Sequence, residues 1–156
     1  MNPDFARFVE TLHPSFERLI AMEPVRGGTL PRDMPLQGVY LFSEANRYLY
    51  VGRSNKLSQR YKQHTNPGSQ HNQAVFAFKI AREITGKIKA AYVKGPENRR
   101  GLISDPDFSL AFAEGKARVR RMDYRFVEEQ DQTRQALLEL YCAVALKCPY
   151  NDFNTY

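Results

Sequence analysis

At 156 residues, with 42% hydrophobic and 26% charged side chains, the chain is sized and composed for one soluble domain with its own core, which excludes a multidomain enzyme. Its formal net charge of +6 suits a polyanionic partner. No apolar run approaches the length that crosses a bilayer, so no membrane partner is expected.

The first residues, MNPDFARFVETLH, carry charge throughout and lack the apolar stretch of a signal peptide, so a cytoplasmic location is expected. Asn2 before Pro3 reads as a cap followed by a first-turn proline. Phe5, Phe8, Val9 and Leu12 then keep helical spacing, and Phe16, Leu19 and Ile20 resume it after His13-Pro14, so two short helices are expected. Pro24, Gly27-Gly28, Pro31 and Pro35 break residues 23–37 into a loop.

Gly38 to Phe42 and Arg47 to Gly52 read as two strands joined by Ser43-Glu44-Ala45-Asn46. Alternation groups Val39 and Leu41 on one face and Leu49 and Val51 on the matching face of the partner. Turning both pairs to the core sets Tyr40 opposite Tyr50 and Phe42 opposite Tyr48. Two phenols then project from one face of the hairpin.

Ser54 or Asn55 caps a helix to about Thr65 that carries Lys56, Arg60 and His64 at four-residue steps and stops at Asn66-Pro67-Gly68. A second helix is expected over about 72–85, with Val75, Phe76, Phe78 and Ile80, ending at Gly86. The basic stretch Lys94 to Gly101 reads as a loop, and Ser104-Asp105-Pro106 begins a short helix. A strand is expected around Ala117–Val127, with Met122, Tyr124 and Phe126 alternating against Asp123 and Arg125. The last helix runs from about Gln132 to Leu146, with Ala136, Leu137, Leu140, Ala143 and Val144 inward, and Pro149 ends it. Cys142 and Cys148 read as two buried thiols, with no Cys/His cluster spaced for zinc.

GVY (Gly38, Val39, Tyr40), followed ten residues later by YVG (Tyr50, Val51, Gly52), resembles the signature of the GIY-YIG nucleases. Valine stands for isoleucine in both triplets and keeps a β-branched residue there. Arg60 lies ten residues after Tyr50, where the family places its helix arginine, and His64 four further on. Glu139, within LLELYCAVALKCPYN, stands where the family carries a metal-binding glutamate, and Asn151 follows it by twelve.

The resemblance covers about 38–80 and 117–151. It implies a small α/β (α+β) fold, a three-stranded, mainly antiparallel sheet flanked by helices, in a single domain over residues 1–156. Residues 1–37 are then an N-terminal helical addition, and about 86–116 an insertion in the 38–151 core. In activity it implies a divalent-metal-dependent DNA endonuclease that uses one Mg²⁺ or Mn²⁺ per site. Tyr40 is the implied general base and Tyr50 the group that orients water or phosphate, two roles the residues themselves leave interchangeable. Arg60 is the implied phosphate clamp and Glu139 the metal ligand.

The residue types suit that chemistry independently. Phosphodiester hydrolysis needs an activated water, neutralised phosphoryl charge and help for the leaving oxygen. A lone carboxylate is a natural ligand for Mg²⁺, which keeps most of its waters. Arginine's planar fork matches a phosphate better than lysine does. No basic residue follows Glu139 in its own segment before Lys147, so a metal accounts for it more simply than an ion pair does. His64 reads equally as a phosphate contact or proton relay and as a charge at a helix C-terminus. Expected nucleic-acid contacts are Gly52, Arg53, Lys56, Lys62, Arg99, Arg100, Arg120, Arg121 and Asn151, the last also a bridge from the C-terminal segment to the site.

Two other readings stay open: a nucleic-acid-binding module of the same fold without turnover, and an RNA-directed nuclease. Whether a DNA cutter serves repair or restriction is also open. A cutter of palindromic sites would be expected to dimerise.

Overall fold

A computed structural model describes residues 1–87 and 99–153, with Arg99 described by its backbone alone. In chain order the elements are α1 (Pro3–Glu10), α2 (His13–Ala21), β1 (Gly38–Glu44), β2 (Arg47–Ser54), α3 (Leu57–Thr65), α4 (Val75–Thr85), α5 (Arg99–Ser104), α6 (Pro106–Arg121), β3 (Asp123–Glu128) and α7 (Gln132–Ala145). They fall into two compact units, Met1–Arg60 with Met122–Tyr156, and Tyr61–Arg121.

The first unit is built on an antiparallel sheet in the order β2-β1-β3. Ala45 and Asn46 both have positive φ, 51° and 61°. Such a two-residue turn matches the right-handed twist of the strands it joins. β1 therefore runs on to Glu44, two residues further than the expected strand. The register moves with it. Tyr40 pairs with Gly52 and Phe42 with Tyr50, not Tyr40 with Tyr50 and Phe42 with Tyr48 as expected. A bulge takes up the remaining offset, since the partners pass from Phe42↔Tyr50 to Ser43↔Tyr48 and skip Leu49.

The slip is two residues, and side chains alternate with a period of two, so no side chain changes face. Val39, Leu41 and Val51 still point inward. They are fully buried with Leu12, Leu19 and Leu138, and Val127, Cys142 and Cys148 close the cluster. Leu12 and Leu19 come from the N-terminal segment, which thus completes this core instead of lying outside it. Asn2 does cap α1, its side chain accepting from the Phe5 amide at 2.9 Å. The expected loop before β1 holds one strand-like contact, a bridge from Val25 to Tyr124 on β3. Gly38 lets β1 approach β3 closely, for a Cβ there would stand 2.0 Å from the Val127 carbonyl oxygen.

Two expected elements differ in the structure. The strand placed at Ala117–Val127 is helix as far as Arg121, and β3 begins only at Asp123. Gly115, Lys116 and Val119 are buried at helical spacing, whereas alternation sets in from Met122. The last helix was expected to face inward along Ala136, Leu137, Leu140, Ala143 and Val144. Gln135, Leu138, Cys142 and Ala143 are the buried residues, while Leu140 and Val144 are exposed. A buried glutamine rotates the inward stripe away from where hydropathy alone puts it. Gln135 is accommodated because its amide donates to Asn55 Oδ1 at 3.1 Å and to the Glu129 carbonyl at 2.7 Å.

In the second unit α4 packs on α6. Phe78 meets Phe108 and Phe112 edge-on, with ring centroids 5.1 and 5.9 Å apart. Gly115 sets the closeness of these helices, since a Cβ there would lie 2.9 Å from the Ala77 carbonyl oxygen. The buried Lys116 ammonium donates to the carbonyls of Pro67 and Ser69 at 2.6 and 2.9 Å. Of the expected basic loop Lys94 to Gly101, residues 94–98 lie outside the described residues, and Arg99 to Gly101 are helical in α5. Among the described residues no helix is long and apolar enough to cross a membrane.

Candidate active site

The hairpin places two phenols together. Tyr40 on β1 and Tyr50 on β2 share a sheet face, and their rings stand 6.4 Å apart. Across the ladder from Tyr40 is Gly52, and a Cβ at that position would fall 2.2 Å from the Tyr40 hydroxyl oxygen and 2.3 Å from Cζ. The Tyr40 ring therefore lies flat over the Gly52 backbone, so the second triplet ends in glycine because the first ends in tyrosine. Phe42 and Tyr124 each stand 5.9 Å from the Tyr40 ring and close its other sides. Tyr40 is almost wholly buried as a result.

Arg60, near the middle of α3, turns this aromatic pair into a polar cluster. Its guanidinium hydrogen-bonds both phenols, and Tyr50 also bonds Tyr40. Burial pushes the Tyr40 phenol well above its ordinary value, and Tyr50 adds to that, while the charge and hydrogen bond of Arg60 pull it back. Tyr50 is raised for the same first reason. Arg60 opposes the rise and Glu139 reinforces it. A guanidinium held against a phenol stabilises the phenolate, and Arg60 acts on Tyr40 in this sense.

Glu139 sits half-buried on α7, and burial raises its carboxyl above the usual range against the pull of Arg53. Arg53 Nε lies 3.2 Å from Glu139 Oε2. No basic partner was expected in Glu139's own segment before Lys147, and the ion pair forms with a residue outside that segment. The partner comes from β2, where Arg53 shares the strand face of Val51 towards α7. The Glu139 carboxylate offers the hard oxygen donors that divalent cations accept, and among the described residues no group of three His, Cys, Asp or Glu could hold a metal ion.

Asn151 bridges the C-terminal segment to the hairpin. Its carboxamide pairs with both backbone groups of Val51, at 2.8 Å each, and the Tyr150 amide donates to the Leu49 carbonyl at 3.2 Å. Placed among the nucleic-acid contacts from the sequence, Asn151 has its amide engaged with this backbone. Asn55 joins the start of α3 to α7, accepting from Gln132 at 2.7 Å as well as from Gln135. Neither Tyr124 nor this amide set was singled out from the sequence. The alternation around Tyr124 was the available signal, whereas a buried glutamine on an apolar stripe leaves none.

Arg53 and Lys56 are exposed, and Arg60 is half-buried, all in the first unit. Lys62, Arg100, Arg120 and Arg121 are exposed in the second unit, where Arg99 contributes backbone to α5. His64 also belongs there and is fully buried, so it is not a solvated charge at a helix end.

Residues 36–100 match the family model described as the GIY-YIG catalytic domain. No curated protein and no solved structure matches the chain significantly. The matched stretch holds the hairpin with both tyrosines and the arginine of α3, and these residues are similar to the GIY-YIG nuclease catalytic domain.

Proposed function

We propose that the protein is a divalent-metal-dependent endonuclease that hydrolyses phosphodiester bonds in DNA. One observation carries the reading: Arg60 hydrogen-bonds both Tyr40 and Tyr50, and Tyr50 lies within electrostatic reach of the Glu139 carboxylate. Tyr40 takes the proton from the attacking water as general base, and Arg60 favours the phenolate that must form. Tyr50 orients the water or the phosphate. The Arg60 fork neutralises charge on the phosphoryl oxygens. Glu139 holds Mg²⁺ or Mn²⁺, and the chemistry such an ion supplies is Lewis-acid stabilisation of the phosphate and of the leaving oxygen. Arg53 and Lys56, exposed beside these groups, contact the DNA backbone, as do Lys62, Arg100, Arg120 and Arg121.

The test incubates purified protein with plasmid and with branched DNA, in Mg²⁺ or Mn²⁺ and in EDTA. Cleavage is expected with metal, is lost in EDTA, and falls at least about a hundredfold in Tyr40→Phe and Glu139→Ala. Cutting that survives EDTA or both substitutions would sink the proposal. Tight binding without cutting on every substrate would mark a binding module instead, and cutting confined to RNA would move the substrate class.

A further inference from the structure

Arg53 follows Gly52 directly at the end of β2, and among the described residues its side chain has one ionic partner, Glu139. The ion pair approaches most closely through Nε, at 3.2 Å. The Arg53 side chain is 40% exposed and that of Glu139 27%, which leaves the pair open to water on one side. Salt bridges in such a setting are weak and readily exchanged. If Glu139 also takes a divalent cation, two cations compete for one carboxylate and repel each other across it. A phosphate is the partner that accepts Arg53 once it is displaced, since the guanidinium fork fits phosphate and carboxylate alike.

We propose that Arg53 is an exchangeable counter-cation for Glu139, paired with the carboxylate while the metal is away and transferred to a nucleic-acid phosphate when the metal binds. This rests on the reading of Glu139 as the metal ligand. Arg53 thereby couples the two ligands, because a phosphate that draws Arg53 away bares the carboxylate for the metal, and a metal that evicts Arg53 frees it for the phosphate. Thermodynamic linkage requires the two effects to be equal in size. Arg53 is in this role a positioning residue that makes metal and phosphate binding cooperative.

The experiment measures Mn²⁺ affinity by calorimetry and by electron paramagnetic resonance on the full chain. It compares the native protein with Arg53→Gln, Arg53→Lys and Glu139→Gln, each with and without a short DNA duplex. A Tyr40→Phe background prevents turnover. Without DNA, Arg53→Gln is expected to bind Mn²⁺ about fivefold more tightly than the native residue, with Arg53→Lys between them. Duplex is expected to raise Mn²⁺ affinity about fivefold in the native sequence and to leave Arg53→Gln unchanged. A residue that merely braced the fold would lose metal affinity on substitution, not gain it. Unchanged or weaker Mn²⁺ binding in Arg53→Gln, with Glu139→Gln still abolishing binding, would overturn the exchange and leave the nuclease reading standing. Native-like Mn²⁺ binding in Glu139→Gln would overturn both.

Discussion

Tyr40 shows how one residue's environment sets its chemistry. Burial holds its phenol well above the ordinary value, so at neutral pH it is protonated and little phenolate is present. The base must be deprotonated, so a raised value moves the rise in activity to higher pH. Single-turnover cleavage is expected to climb about tenfold per pH unit between roughly pH 6 and 9. Arg60 pulls the other way, so Arg60→Gln moves that rise further to the alkaline side as well as slowing the reaction. A flat profile would remove Tyr40 as the base. Gly52→Ala tests the contact beneath the ring. Its methyl group would overlap the Tyr40 hydroxyl and Cζ, so the ring must leave its place. The expected cost is about 1–3 kcal/mol of stability, read by denaturant unfolding, with cleavage reduced about a hundredfold. Native activity in this variant would show that the stacked placement is not needed. The residue pattern alone identified Tyr40, Tyr50, Arg60 and Glu139. It did not show that Glu139 pairs with Arg53, because that contact joins a strand end to a helix far along the chain.

Among the elements, the β1–β2 hairpin was legible in type and in facing but not in register. Hydropathy fixes which side chains turn inward, and a slip of two residues leaves that set intact. What decided the register was a left-handed Ala45-Asn46 turn, and alanine advertises such a turn poorly. Helix α6 and strand β3 were merged in the sequence reading because KARVRR carries few apolar residues whose spacing distinguishes helix from strand. The tie between β2 and the segment after α7 depends on Asn151. Asn151→Ala removes both bonds to Val51 and is expected to cost about 1–2 kcal/mol in denaturant unfolding. Cleavage should fall with it, since Val51 lies between Tyr50 and Gly52. A variant as stable as the native chain would mean that the clasp contributes nothing.

On the scale of the whole molecule, the division into two compact units is not readable from composition, because one border falls inside α3 and the other between α6 and β3, with no linker at either. The family resemblance marks about 86–116 as additional, and α4, within the family-matched stretch, packs on α6 near the end of the second unit. Gly115→Val tests that packing. Its side chain would press on the Ala77 carbonyl, and amide exchange in α4 and α6 is expected to speed up about tenfold or more. Unchanged protection there would show that the helices can separate without loss.

The hydrogen bonds from Tyr150 and Asn151 have a consequence for solubility. β2 lies at one border of the sheet, where unpaired backbone groups invite another chain to add a strand. Leu49 and Val51 are already taken by the segment after α7, and Val25 covers Tyr124 at the opposite border. Each rim of the small sheet is thereby covered in part by the chain's own loops. A chain in which the Asn151 clasp opens would then tend to self-associate through β2 at concentrations where the intact protein stays dispersed.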